Sequence, residues 1–231
     1  MILRIWWWTV AERAVALLSG GLNSYVAAAF YKKHGTGEIV EAICFNYGQE
    51  HCDEIDYASE LARLLDVPFS TFSPQMSWEL TDRMTLEQVD HMEQVGLNNS
   101  FWFGRDLMIH LLGASRARAL NATKVITGAH NSRVDRLALE LLGKTIEAAN
   151  FGVEFEHPFS DTQTGHSFKV AYAIGIWDEA VSRTYDCLRG GTDTHGWGYG
   201  CGECEGCLIR AEGWETALGL IKKEHGDEKA H

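Results

Sequence analysis

The stretch AVALLSGGLNSYVAAAF, residues 14–30, limits the fold more than any other part of the chain. An apolar run turns through Gly20 and Gly21 directly into an alanine-rich segment, with no loop between them. A strand that passes straight into a helix opens a β–α unit, and repeated units of this kind build a parallel sheet. The rest of the chain supplies the repeats. Residues 13–18 read as a buried strand, and a helix follows from about Ser24 to Lys33. A second strand covers 38–48, after which Ile55, Ala58, Leu61, Ala62 and Leu65 recur on one helical face. Further segments alternate as strand 67–73, helix 104–121, strand 124–130 and helix 133–151. Residues 153–160 are extended up to Pro158, and 168–181 read as one last helix before a run of cysteines. The polar, weakly patterned residues 75–98 are expected to form an excursion or lid.

The expected fold is therefore α/β, a twisted parallel sheet with helices on both faces and a small C-terminal zinc-binding subdomain. The expected division is an N-terminal extension at 1–12, an α/β domain at 13–180, a four-cysteine subdomain at 181–220 and a frayed tail at 221–231. In such sheets ligands bind at the carboxyl ends of the strands. Residues Ser19–Ser24, Asn46–His51 and Thr127–His130 all fall there.

The formal charge of −12, from 20 basic and 32 acidic side chains, argues against direct nucleic-acid binding, which draws its affinity from Lys and Arg on phosphates. A local pocket can still be positive and take a small anion. No run approaches the ~20 apolar residues of a membrane span. The opening MILRIWWWTV lacks a basic leader and a small-residue cleavage site. Trp6–Trp8 are expected on an edge strand or at a subunit contact, with membrane attachment the lesser alternative.

At the glycine pair, a strand-to-helix turn leaves backbone N–H groups unpaired at the positive end of the helix dipole, which makes an anion site. Glycine lets a phosphate approach closely, and Ser19 and Ser24 offer hydroxyl donors at either end. A plain tight turn is the alternative. The Walker pattern G-x-x-x-x-G-K-[ST] does not occur here.

Four of the six cysteines lie close together. Cys187 precedes Cys201 by fourteen residues, and Cys201, Cys204 and Cys207 follow at two-residue intervals. Four thiolates spaced this way close a tetrahedral zinc site, whose lack of an open position makes it structural. An iron–sulfur cluster and a redox dithiol remain alternatives. His195 lies inside the cluster and could replace one ligand. Cysteines used in this manner point to a reducing, cytoplasmic compartment.

The loop SGGLNS resembles the S-G-G-x-D-S loop of the N-type ATP pyrophosphatases, the PP-loop proteins of adenine nucleotide alpha hydrolase-like fold. Asn23 stands in place of the family aspartate, so it keeps one acceptor oxygen but not the charge that helps hold magnesium. Together with FNYGQEHCDEI (45–55), NSFWFGRD (99–106) and LIRAEGWETA after the cysteines, the chain resembles the QueC family, the 7-cyano-7-deazaguanine synthases. The similarity runs from about Ala14 to Ala217.

The resemblance implies an ATP-dependent, AMP-forming C–N ligase that adenylates 7-carboxy-7-deazaguanine or a close analogue. Ammonia then captures the adenylate, giving the amide or nitrile, with AMP and pyrophosphate released. Magnesium and zinc would accompany ATP, and a homodimer is implied. Leu18, Ser19, Gly20, Gly21, Leu22, Asn23 and Ser24 would take the phosphates. Phe45, Tyr47 and Gly48 would border the adenosine, and Thr127 with Gly128 would complete the nucleotide site. Arg105, His51 and Asn23 are the catalytic candidates, through phosphate binding, proton transfer and the loop itself. A salt bridge at a helix start is the alternative for Arg105, and a structural hydrogen bond for His51. Gln49, His130 and Arg133 are the substrate candidates, although a solvated helix face suits Arg133 as well. Phe103 and Asp106 replace the proline and asparagine of the family motif. The family's G-Y-P-D-C-R segment is replaced by AHNSRVDRLALELLGK (129–144). Two other outcomes follow from the same residues: transfer of the acyl group to a protein amine, as in bacterial defence systems, or a nucleotide-binding partner that has lost turnover.

Overall fold

Strand β1 (Glu12–Leu17) is apolar at every position from Ala14 onward, and both of its faces are buried. Such a strand can only lie in the interior of a sheet covered on two sides. In the computed structural model, which describes residues 12–35, 37–46, 53–74, 105–128, 133–158 and 165–225, β1 is the central strand of five. The others are β2 (Gly37–Phe45), β3 (Phe69–Phe72), β4 (Lys124–Ile126) and β5 (Glu154–Glu156). The order is β3-β2-β1-β4-β5 and every pairing is parallel, as the alternating pattern requires.

The two faces divide the core by sequence parity. Ala14, Ala16 and Leu18 face one layer, with helices α1 (Leu22–His34), α2 (Asp53–Leu64) and α5 (His166–Ile174) packed against it. Val15 and Leu17 face the other, beneath α3 (Arg105–Ala119) and α4 (Arg133–Ala148). On the first face the strand carries alanines and α1 answers with Ala27 and Ala28, all fully buried. Small residues on both partners let helix and sheet approach closely. Each fully buried Val, Ile or Leu here contributes about 1.5–3 kcal/mol.

The strands expected to reach 48 and 130 end at Phe45 and Ile126, and three further boundaries differ for a visible reason. Helix α1 starts at Leu22 rather than Ser24, because its first amide finds an acceptor in Asp186, far along the chain. The segment 168–181 is two helices, α5 and α6 (Trp177–Ser182), since Gly175 adopts a left-handed conformation (φ 77°) that ends the first. Residues 222–225, expected to fray, close a 21-residue helix α7 (Glu205–His225). Between α6 and α7 lies a two-residue hairpin, β6 (Thr194–His195) with β7 (Gly198–Tyr199). Among the described residues no helix is long and apolar enough to cross a membrane. The tryptophan-rich start, the expected lid at 75–98 and the tail beyond 225 lie outside the described residues.

Candidate nucleotide seat and thiolate centre

The strand order reverses at β1 and β4, and in sheets of this class the crevice at the carboxyl ends of those two strands is the ligand site. The glycine loop follows β1, and Thr127–Gly128 follow β4. The two segments touch. A methyl group added at Gly128 would lie 2.3 Å from the Ser24 nitrogen and 2.4 Å from the Asn23 carbonyl carbon. Only glycine fits between β4 and the start of α1.

The loop is closed by its own serines. The Ser24 hydroxyl donates to the Gly21 carbonyl at 3.0 Å and accepts from the Ser19 amide at 3.1 Å. The two hydroxyls are 3.0 Å apart, so the proton between them belongs to Ser19, whose oxygen also accepts the Gly21 amide at 3.3 Å. Both hydroxyl protons are spent inside the turn. In this arrangement the serines shape the loop, and its backbone amides lie beside them. Gly20 sits at φ 85°, where a side chain would strike the Glu54 carbonyl at 2.5 Å. Its own carbonyl accepts the Tyr185 amide at 2.9 Å.

Asn23 accepts a 2.6 Å hydrogen bond from the Ser167 hydroxyl on α5. Leu22 presents its amide to the Asp186 carboxylate at 3.3 and 3.5 Å. Leu18 is buried and bonds through its amide to the Ile43 carbonyl at 2.8 Å. Phe45 is buried in the core under α3, its ring 6.1 Å from that of Phe72.

Thr127 is buried, and its hydroxyl lies 3.0 Å from Nε2 of His110 on α3. Nδ1 of that ring is 2.6 Å from the Asp106 carbonyl, which can only accept. In its neutral form the ring would carry its proton on Nδ1, with Thr127 donating to Nε2. Beyond His110 lies His157, just past β5, with ring centroids 6.3 Å apart. Its buried Nδ1 has no hydrogen-bond partner among the described residues. Burial, with help from neighbouring His110, lowers its pKa to about 4, so this ring is neutral at physiological pH.

Arg105 and Arg133 open α3 and α4, at the same edge of the sheet. Tyr47, Gly48, Gln49, His51 and His130 lie outside the described residues. The sequence reading missed Asp186, Arg210, His110, His157 and Ser167. Asp186 and Arg210 had a signal, since one immediately precedes the first clustered cysteine and the other follows the last by three residues.

The four cysteines converge. Cys187 and Cys204 sulfurs are 3.9 Å apart, those of Cys201 and Cys207 are 4.0 Å apart, and all four lie within 4.8 Å of one another. Backbone amides point at the sulfurs: Gly191 and Cys201 donate to Cys187 at 3.2 and 3.4 Å, and Leu188 to Cys204 at 3.3 Å. Burial raises the Cys187 thiol, but its amide bonds outweigh that and bring the pKa to about 6. Burial pushes Cys204 and Cys207 upward. This donor set can hold a metal ion. His195 is not part of it, because its Nε2 pairs with the Gly200 carbonyl at 3.0 Å while the ring stacks on Trp197.

The centre is bolted to the glycine loop. Arg210 of α7, almost fully buried, donates to the carbonyls of Trp197, Ala180 and Val181, to Thr184 and to Asp186. Tyr185 stacks on Tyr57 of α2 at 4.8 Å.

A parallel α/β sheet with a glycine loop at its switch point and four converging cysteines beside it defines the class of protein. The profile of the family described as "Queuosine biosynthesis protein QueC" matches residues 13–218, and the chain belongs to that family. It is 28% identical over 233 residues to a 7-cyano-7-deazaguanine synthase from Polaromonas sp. (strain JS666), covering 91% of this chain and 98% of that one. It is 27% identical to the 7-cyano-7-deazaguanine synthase of Helicobacter pylori (strain P12), covering 88% and 95%. Among solved structures it is similar to the U34-tRNA thiolase NcsA from Methanococcus maripaludis, at 14% identity and a TM-score of 0.47, covering 93% of this chain and 66% of that one.

Proposed function

We propose that this protein is an ATP-dependent, AMP-forming ligase that adenylates the carboxylate of a 7-deazaguanine acid and joins the acyl carbon to ammonia. The reading is carried by the amide-lined loop at the switch point in a chain of the QueC family, whose curated relatives are named 7-cyano-7-deazaguanine synthases. A carboxylate is a poor electrophile until its oxygen becomes part of a leaving group. Its attack on the α-phosphorus of ATP expels pyrophosphate, which the helix-start amides are suited to hold. Ammonia then attacks the acyl carbon, loses a proton and expels AMP. Holding adenylate and amine together removes much of the entropic barrier. A second adenylation, on the amide oxygen, followed by loss of the two amide protons and of AMP would give the nitrile.

The four thiolates suit zinc. A tetrahedron with Zn–S bonds of ~2.3 Å has sulfur–sulfur edges of ~3.8 Å, close to the 3.9 and 4.0 Å pairs observed. That spacing supports one ion rather than a cluster. Cys187, Cys201, Cys204 and Cys207 would hold it, and it would supply cross-linking rather than chemistry.

One observation favours a second reading, nucleotide binding without turnover. The neutral Asn23 replaces a carboxylate that would help hold magnesium, and its oxygen is already engaged by Ser167. Incubating the protein with ATP, magnesium, ammonia and 7-carboxy-7-deazaguanine, with Asn23→Asp in parallel, decides between them. The ligase reading expects pyrophosphate release dependent on the acid, and a product mass of the amide or nitrile. ATP binding with no release from either protein leaves the binding module as the function. Release with the acyl group found on a protein amine assigns the other nucleophile.

A further inference from the structure

We propose that Asp186 sets the affinity of the phosphate seat, its carboxylate being a resident anion that an incoming phosphate displaces from the Leu22 amide. The inference rests on the nucleotide reading of the glycine loop. Helix α1 has no cap of its own: Gly21 occupies the N-cap position without a side-chain bond, and the first turn carries no acid. An uncapped helix start attracts an anion, and the one it has is Asp186, delivered from 164 residues away. The room for that carboxylate is made by Gly21, where a methyl group would lie 2.4 Å from Asp186 Oδ1.

The geometry marks the contact as exchangeable. Leu22 faces both carboxylate oxygens at 3.3 and 3.5 Å, longer than the 2.7–2.9 Å of a tight charge-assisted bond. On its other side the same carboxylate meets Arg210 Nη1 at 2.5 Å. That guanidinium is fixed by three backbone carbonyls and Thr184, and its side chain is 1% exposed, whereas the Asp186 side chain is 30% exposed. The aspartate is thus the movable member. Its backbone is held, because Tyr185 donates to Gly20 and stacks on Tyr57, so a side-chain rotation suffices to leave Leu22 while keeping Arg210. Two anions cannot share one helix start, and a phosphate must either displace the carboxylate or bind against it.

The test is calorimetric titration of the full-length, metal-loaded protein and of Asp186→Asn with pyrophosphate, ATP and adenosine. Asparagine keeps the size and one acceptor oxygen, enough for Arg210, but removes the charge. The expected result is pyrophosphate and ATP binding on the order of tenfold tighter in the variant, with adenosine affinity unchanged. A folded variant with equal or weaker pyrophosphate affinity overturns the proposal, and leaves the nucleotide reading intact if ATP still binds. Absence of ATP and pyrophosphate binding from both proteins overturns the nucleotide reading, and this proposal with it. Should the variant not fold, the wild-type protein labelled with ¹⁵N-leucine decides. Saturating pyrophosphate must shift the Leu22 amide resonance, and an unmoved Leu22 resonance in a pyrophosphate-bound protein overturns the proposal.

Discussion

The glycine loop and the cysteine centre both use backbone amides to manage negative charge, yet they divide the work in opposite ways. In the cysteine centre the protein supplies the sulfurs, and amides from Gly191, Cys201 and Leu188 point at them in an arrangement that could hold a cation. In the loop the turn supplies the amides and the helix dipole, and the charge that meets them is Asp186, brought from a distant segment. The centre gathers its ligands from residues 187–207 alone. The loop needs Gly128 from β4, Ser167 from α5 and Asp186 from beyond α6 to be complete. A self-contained ligand set makes a staple, while a seat assembled from distant segments can be tuned by each of them. The two regions also meet, since Tyr185 and Asp186 join the loop directly to Cys187.

The sharpest way to break this contrast is to remove the staple. Cys204→Ala leaves three thiols without a complete tetrahedron, and metal binding and folding are one equilibrium in such knots. The expected outcome is loss of bound metal and a large loss of stability, followed by circular dichroism and metal analysis. Nucleotide binding should fall with it, because Tyr185 and Asp186, which contact Gly20 and Leu22, lead directly into Cys187. A stable, metal-free variant that still binds ATP would show that the two regions are independent.

A smaller effect is expected from the seat. Gly128→Ala places a methyl group against the Asn23–Ser24 backbone, which cannot yield as a flexible side chain would. Overpacking of this kind costs about 1–3 kcal/mol. ATP affinity should drop by at least about tenfold, in a variant that keeps its metal. Normal ATP affinity would mean that the loop tolerates a shift and is less rigidly assembled than its contacts imply.

The smallest effect belongs to a pair remote from both regions. Glu41 of β2, buried, takes two hydrogen bonds from Arg116 of α3 at 2.6 and 2.8 Å and one from Ser70 at 2.7 Å. The Arg116 bonds hold its carboxyl below the ordinary value of 4.5, against the opposing effect of burial. Its folded pKa lies below the unfolded one, so its contribution is complete above about pH 4.5 and is lost as pH falls through the folded value. Glu41→Gln should cost about 1–1.5 kcal/mol at neutral pH and flatten the acid limb of a stability–pH curve, without changing ATP affinity. A shift in ATP affinity would connect this edge of the sheet to the seat.

How much of the molecule was legible beforehand follows from distance along the chain. The β1–loop–α1 unit could be read because strand, glycines and helix are consecutive, and the parallel sheet followed from its repetition. The thiolate centre could be read because two-residue spacing alone turns three sulfurs toward one point. The split at Gly175 was hidden because apolar residues continue on either side of it. Helix α7 ran further than expected because Ala217 and Ile221 are buried against the body of the protein, where their packing outweighs the polarity of the tail. His110 and His157 carried no local pattern; packing of α3 on β4 brings the first beside Thr127, and the pairing of β4 with β5 brings the second.

By itself, then, the sequence determined the class of fold, the position of the glycine turn after the central strand and the clustering of four cysteines, since each depends on residues near one another in the chain. Only the tertiary structure decided what faces that turn. A carboxylate 164 residues away in sequence becomes a neighbour solely through packing, and no periodicity or spacing encodes where its charge will come to rest.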